Sequence, residues 1–240
     1  ISVRTKLYFS MENLILQQFF VFTFSERHDK MCSYLYFSFL RGQTMDSNFF
    51  ALISRMRYIA RWGLMRNALP ENIQEHSHMV AVLAHALGVI RRDIFHQPCD
   101  VNALATAALY HDASEILTGD LPTPIKYHNA EIMSAYHAVE DLAVQKLLGM
   151  LPPELRETYA DVLAEDKDGD IYPLVKAADK LSAYIKCIEE RKAGNNEFLS
   201  AEAQTRAALE ASPLPEVPYF LEHFIPAFER DLDELGAIGQ

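Results

Sequence analysis

The sequence predicts an all-α protein, and three observations after residue 44 support this fold class. All 11 prolines lie between residues 70 and 226, and they separate stretches rich in Ala, Leu, Glu and Lys, which favour helices. Within those stretches apolar residues recur every three or four positions, as on one face of a helix. Alternation of apolar and polar residues, the pattern of a half-buried strand, is nearly absent. We therefore expect a single helical bundle over residues 45–240.

Four of the predicted helices can be located by their apolar positions. The spacing is clearest over 49–59, 80–87, 104–116 and 174–188. Asp100 or Asn102 is suited to cap the start of the third helix, and Gly119 is suited to end it. This third helix would carry His111 and Asp112 near its middle.

Residues 1–44 differ in composition from the rest of the chain. They hold ten of the 26 aromatic residues, no Ala and no Pro, and five basic against three acidic residues. Their apolar stretches are too short to span a membrane, and neither ends in the small-residue site of a secretory signal. We expect an atypical leader outside the native domain, with the functional protein beginning at Met45. The alternative is a genuine aromatic-rich anchor, and the intact mass of the native protein would distinguish the two.

The net charge of −11 argues against a general binder of nucleic acid polymers or anionic membranes, since both need a basic surface. A small phosphate substrate is compatible with it, because such a substrate needs only local positive charge or a metal. Cys32, Cys99 and Cys187 form no CxxC pair, which argues against a disulfide framework and a cysteine zinc site. We expect a reducing, cytoplasmic setting.

His111 and Asp112 are the first candidates for chemistry. They follow the apolar run 103–109, where burying two ionisable groups is costly unless a partner or a metal satisfies them. Glu115 lies four residues beyond His111, so on a continuous helix it shares their face. The alternative is a solvated helix face, which the apolar run disfavours.

Two further candidates occur in other predicted helices. His76 lies on the apolar side of a helix that starts after Pro70, where a lone histidine is usually a core residue. Asp179 lies among small and apolar residues and would be costly if buried alone. The alternative is a surface aspartate paired with Lys180 or Arg191.

The turn 119–124 contains two prolines and follows the His111 helix directly. Such a rigid turn would hold Asp120 and Thr123 near the end of that helix. The alternative is an ordinary helix terminator.

Together these positions supply two imidazoles and two carboxylates without sulfur, and such a set suits Mn, Co, Fe, Zn or Mg. Water would fill the remaining coordination positions of the metal. Such open positions are typical of a catalytic metal site, whereas a structural site is closed. The four candidate ligands are His76, His111, Asp112 and Asp179.

The order His, His-Asp, Asp on separate helices resembles the HD superfamily of metal-dependent phosphohydrolases. Longer strings are similar to the bacterial 5′-deoxynucleotidases of the YfbR type, and the resemblance extends from about Met45 to Leu235. The strings are Arg61-Trp62, Glu75-His76-Ser77, Tyr110–Glu115, Leu117–Pro124, Lys176–Asp179 and Ala193–Phe198.

The resemblance implies an HD-domain enzyme, a phosphoric monoester hydrolase that converts deoxyribonucleoside 5′-monophosphates to deoxynucleoside and phosphate. It implies one divalent metal ion (Co, Mn, Zn or similar) and a homodimer. Arg61 would orient the phosphate, Trp62 would contact the sugar, and Glu115 or Asp120 would protonate the leaving oxygen. The implied metal ligands are His76, His111, Asp112 and Asp179, and Asp112, Asp120, Leu121, Pro122 and Thr123 would contact the substrate.

Two other functions stay open at this point. An HD-type phosphodiesterase or dNTP triphosphohydrolase would want more cationic groups than the four near these motifs, Arg61, Arg66, Lys126 and Lys180. A non-catalytic sensor would bind metal or nucleotide without releasing phosphate. Glu115 and Asp120 argue against a sensor, because binding alone needs no acid–base carboxylate.

Overall fold

The computed structural model describes residues 47–126, 128–164 and 169–236. The leader expected at 1–44 lies outside the described residues. Within them the chain is helical, with no strand beyond an isolated bridge between Ala60 and Asn72, so the all-α prediction is confirmed. The α-helices are α1 (Phe49–Ile53), α2 (Ile73–Asp93), α3 (Val101–Tyr110), α4 (Glu115–Thr118), α5 (Thr123–Lys126), α6 (Ala130–Gly149), α7 (Pro153–Leu163), α8 (Tyr172–Lys192), α9 (Leu199–Glu210) and α10 (Glu216–His223). Three 3₁₀ segments cover Ser54–Tyr58, Asn196–Phe198 and Ile225–Glu229.

The main core lies between α2, α3 and α8. Leu83 and Leu87 of α2 are buried against Leu181 and Ile188 of α8, and this contact brings the two long helices together. Helices α2 and α3 approach closely at Gly88, where an added Cβ would lie 2.9 Å from side-chain atoms of both Leu104 and Val101. Only glycine therefore allows this separation without a shift in the neighbouring side chains.

A second core cluster forms around α1, α6 and α7. Phe49 and Leu147 are fully buried in it, and Tyr159 of α7 packs edge-on against Phe49 with ring centroids 5.1 Å apart. Ala113 belongs to the same cluster. The turn after α3 is therefore anchored by packing in this second cluster.

The helix ends follow local capping signals in part. Asp100 caps α3 by accepting hydrogen bonds from the backbone of Asn102 and Ala103, so of the two candidate caps the structure uses Asp100. Gly119 follows α4 with a φ of +75°, a backbone conformation that favours glycine.

None of the described helices combines the length and the apolar composition that crossing a membrane requires.

The third helix differs from the sequence prediction, because it ends at Tyr110 rather than continuing through His111 and Asp112. Residues 111–114 form a turn, and α4 starts at Glu115. The backbone tightens there, since the amides of Ala113 and Glu115 bond the carbonyls three residues earlier. The shared face predicted for a continuous helix therefore does not apply to these residues.

Candidate metal and substrate site

Two histidines meet at the centre of the bundle. His76 lies in the first turn of α2 and is fully buried, and His111 follows α3 with a side chain only 2% exposed. Their ring centroids are 5.3 Å apart. Asn72 starts α2 by accepting the amides of Gln74 and Glu75. This cap fixes the helix turn that carries His76.

Each imidazole has a partner for Nδ1. The His76 Nδ1 lies 3.2 Å from Ser182 Oγ, and the His111 Nδ1 lies 2.8 Å from the carbonyl oxygen of Ala108. A hydrogen on each Nδ1 can be donated to these oxygens, which leaves Nε2 as the lone-pair atom. Such contacts orient a histidine that binds metal through its other nitrogen.

Two carboxylates face the free nitrogens. Oδ1 of Asp179, from α8, is 3.1 Å from His76 Nε2. Oδ2 of Asp112 is 3.2 Å from His111 Nε2 and 3.6 Å from His76 Nε2. The structure thus brings together the four residues that the sequence proposes as ligands.

The electrostatics of these groups favour a cation between them. Burial opposes ionisation of Asp112, but His111, His76 and Arg61 hold the pKa of that carboxyl well below its usual range. Burial likewise opposes ionisation of Asp179, and the contact with His76 lowers its pKa strongly. Burial lowers the pKa of His111, but Asp112 outweighs it and raises that pKa. The carboxylates that attract a proton here would equally attract a metal ion.

The residues present fit a divalent metal ion. One potential ligand atom each from His76, His111 and Asp179 lies within 4.8 Å of the other two. Both Nε2 atoms are buried, and among the described residues neither makes a well-aligned hydrogen bond, only close contacts with the carboxylates of Asp179 and Asp112. A buried nitrogen left without a partner is costly. Coordination would satisfy both atoms, with Asp112 placed as a fourth candidate ligand.

Arg61 and Trp62 reach the site from the segment before α2. The Arg61 Nη1 lies 3.5 Å from Asp112 Oδ2, and burial lowers the pKa of Arg61 while Asp112, Asp179, Glu71 and Asp120 together raise it. The indole of Trp62 packs on the ring of Phe198, with centroids 5.2 Å apart. Arg61 is therefore a fixed positive charge beside the carboxylates.

Glu115 and Asp120 lie near Asp112 and Arg61. Glu115 starts α4 with 6% exposure, and burial, Asp112 and Asp120 raise its pKa to about 10. Burial also raises the pKa of Asp120, while Arg61 opposes that rise. The turn continues through Leu121 and Pro122, which are half-buried. The side chain of Thr123 lies outside the described part of the chain.

Sequence reasoning missed two residues that support the site, Ser182 and Glu71. Ser182 follows Asp179 by three residues on α8, so its same-face spacing could have identified it. Glu71 accepts hydrogen bonds from both Arg61 and Trp62, and no spacing pattern in the sequence indicates this.

Comparison with known proteins gives consistent results. A family model described as 5′-deoxynucleotidase YfbR-like matches residues 48–228. The chain is 50% identical over 192 residues to the 5′-deoxynucleotidase YfbR of Shigella boydii serotype 18, covering 80% of this chain and 96% of that protein. Identity and coverage are the same for the 5′-deoxynucleotidase YfbR of Escherichia coli K12.

Solved structures show a similar fold. An HD-domain phosphohydrolase from Listeria innocua superposes with a TM-score of 0.67 at 25% identity, covering 75% of this chain and 88% of that one. A protein from Pyrococcus horikoshii gives a TM-score of 0.58 at 21% identity, covering 76% of this chain and 98% of that one.

The contact between Ser182 and His76 leads to a prediction about metal binding. Ser182→Ala removes the oxygen that orients the imidazole, so we expect the affinity for Mn²⁺ or Co²⁺ to fall about 10–100-fold. Isothermal titration of metal-stripped protein measures this. Ser77→Ala is the matched control, because Ser77 is 2% exposed against 3% for Ser182, and its Oγ has no partner among the described residues. Equal losses in both variants would contradict a specific role for Ser182.

Proposed function

Because the chain belongs to the YfbR-like 5′-deoxynucleotidase family, we propose that it hydrolyses deoxyribonucleoside 5′-monophosphates to deoxynucleoside and phosphate. The observation that carries the proposal is the pair of buried imidazole nitrogens facing two carboxylates, without well-aligned hydrogen bonds in the described chain. An HD-type phosphohydrolase needs such a metal centre, and one metal ion would satisfy both nitrogens and both carboxylates together.

His76, His111, Asp112 and Asp179 would hold one divalent ion. Bound there, it would polarise a phosphoryl oxygen and make an attacking water available at neutral pH. The donor set suits Co, Mn, Zn and similar ions, and cobalt stays a prediction. The protein's part is to aim both Nε2 atoms at one point, since Ser182 and the carbonyl of Ala108 hold the Nδ1 atom of each ring.

Arg61 would orient the phosphate. Its described hydrogen bonds use Nε, to Glu71, and Nη1, to Asp112. The second terminal nitrogen can therefore donate to a phosphate oxygen, together with the remaining Nη1 hydrogen. A planar guanidinium binds two phosphate oxygens better than an ammonium group does.

Trp62 would contact the sugar. One part of the indole is covered by Phe198, and the side chain keeps intermediate exposure. A ribonucleotide would bring its 2′-hydroxyl against this apolar ring. The hydroxyl would then lose a hydrogen bond to water and gain none in its place. Selectivity for the deoxy sugar would follow from that loss.

Glu115 and Asp120 would serve as acid–base groups, with Asp120, Leu121, Pro122 and Thr123 forming the substrate loop. Glu115 is buried, and its Oε2 has no hydrogen-bond partner among the described residues, as expected for a group that acts on a bound substrate. Each acid–base contribution is typically about 10²–10⁴-fold in rate. Which of the two protonates the 5′-oxygen stays open.

The distribution of cations favours a monophosphate over a triphosphate or a diester. Arg66 is 92% exposed and paired with Glu197, and Lys126 is paired with Glu140. Of these three cations, Arg61 is the one that bonds a proposed metal ligand, Asp112. A longer phosphate chain would need more cationic groups there.

The activity itself is the first test. Metal-stripped protein should release phosphate from dAMP only after Co²⁺ or Mn²⁺ is added, and should release much less from AMP. Phosphate and deoxyadenosine are both measured, with dATP as a third substrate. Deoxyadenosine formed with triphosphate from dATP, but not from dAMP, would favour the triphosphohydrolase, and nucleotide binding without any hydrolysis would favour the sensor.

The roles of Arg61 and Trp62 are tested by substitution. Arg61→Lys keeps the charge but loses the planar fork, so we expect kcat/KM for dAMP to fall about 10–100-fold. Arg66→Lys is the matched control, because Arg66 lies in the same segment with an exposed side chain.

Trp62→Ala should bring the dAMP and AMP rates together, and an unchanged ratio would contradict the role of the indole in sugar selectivity.

The homodimer implied by the family resemblance is also part of the proposal. Val139 and Leu142 lie three residues apart on α6 and are 50% and 55% exposed, so they offer apolar surface that a second subunit would cover. Light scattering should give twice the 27.3 kDa of one chain. A monomer mass at micromolar concentration would contradict this. The cytoplasmic setting stays a prediction.

A further inference from the structure

A single carboxylate oxygen connects the two side chains to which we assign phosphate and sugar contacts. Oε2 of Glu71 accepts a hydrogen bond from Arg61 Nε at 3.1 Å and another from Trp62 Nε1 at 3.0 Å. The Glu71 side chain is 16% exposed, and that of Arg61 is 13% exposed. Charge-assisted hydrogen bonds with so little exposure are strong and geometrically restrictive.

The backbone fixes Glu71 relative to Arg61. The Arg61 amide donates to the Glu71 carbonyl at 3.0 Å, and the Ile73 amide donates to the Ile59 carbonyl at 3.0 Å. These two bonds flank the bridge between Ala60 and Asn72. Because Asn72 also caps α2, the segment that holds Arg61 is attached directly to the helix that carries a proposed metal ligand.

The backbone at Trp62 makes the shared contact possible. Neighbouring side chains in an extended segment point to opposite sides, yet those of Arg61 and Trp62 reach the same oxygen. Trp62 has a φ of +57°, in the left-handed region that bulky residues rarely adopt. Such a conformation persists only where the surroundings hold it. Here the holding contacts are the Glu71 hydrogen bond, the Phe198 ring and the Asn67 side-chain amide on the Trp62 carbonyl.

We propose that Glu71 is a positioning residue that holds the guanidinium of Arg61 and the indole of Trp62 in one fixed arrangement. This inference rests on the proposed function. Glu71 binds Arg61 from the Nε side, which leaves the terminal nitrogens directed to Asp112 and the substrate. Phosphate orientation and sugar selectivity therefore depend on the same carboxylate, although it contacts no part of the substrate.

The test compares Glu71→Ala and Glu71→Gln with wild type. Glu71→Ala should lower kcat/KM for dAMP about 10–100-fold and reduce the preference for dAMP over AMP, since both side chains lose their common acceptor. Trp62 is the only tryptophan of the chain, so a change in the emission maximum or in acrylamide quenching reports its position directly. Glu71→Gln should recover part of each property, because the amide oxygen can still accept both hydrogen bonds.

Glu202→Ala is the matched control. Glu202 is also 16% exposed and also accepts hydrogen bonds from an arginine Nε, that of Arg191, but no described contact joins it to Arg61 or Trp62. We expect it to keep wild-type emission and the wild-type dAMP/AMP ratio. Thermal melts of all variants show whether loss of stability explains a change.

Two results would overturn the proposal. One is wild-type emission and kinetics in Glu71→Ala, and the other is a change no larger than that of Glu202→Ala. Failure of the proposed function is separable from this, because it would appear as inactivity of the wild type towards dAMP. The fluorescence comparison would still decide whether Glu71 holds Trp62.

Discussion

A polar stripe along α8 is the constraint on which the rest of the site depends. Asp179, Ser182, Lys186 and Glu190 follow one another at intervals of three, four and four residues, so they share one face of a helix whose other faces are largely buried. The first two contact His76, and the last two contact the segment that precedes α2. One rigid helix therefore sets the distance between the proposed metal ligands and the loop next to Arg61.

The C-terminal end of this stripe is the buried ion pair between Lys186 and Glu190, which has a structural role. Glu190 is fully buried and accepts hydrogen bonds from Lys186, from the amides of Ala68 and Leu69, and from Asn195. Burial raises the pKa of Glu190, but these hydrogen bonds lower it to about 2. A buried ion pair by itself adds little net stability, because desolvation offsets the attraction. What this pair adds is specificity, since both charges also bond the backbone of the loop and fix its path.

The accuracy of the sequence predictions follows from the range of the interactions involved. Asp100 caps α3 as expected, because capping depends on a few neighbouring residues. Gly119 ends a helix with a positive φ, but that helix is α4 and not the third helix that it was expected to end. The break after Tyr110 was not predictable from apolar periodicity, which continues across it. The role of Glu71 was not predictable either. Its hydrogen bonds with Arg61 and Trp62 depend on the left-handed backbone of Trp62 and on a fold that brings residue 71 back to residue 61.

The balance of charge at the site indicates that the proposed metal would serve substrate binding as well as chemistry. Asp112 and Asp179 are held ionised, and Arg61, which bonds Asp112, is itself paired with Glu71. A phosphate dianion approaching this group would be repelled in a poorly solvated environment, where like charges interact strongly. A divalent ion would offset that negative charge, because a bound cation is the largest local charge in such a site. Burial raises the pKa of Glu115 and Asp120, so the carboxylates outside the ligand set add less negative charge against the substrate. A protein with a net charge of −11 could therefore bind a dianion where a metal ion and Arg61 offset the local carboxylates, and its acidic surface does not argue against a phosphate substrate.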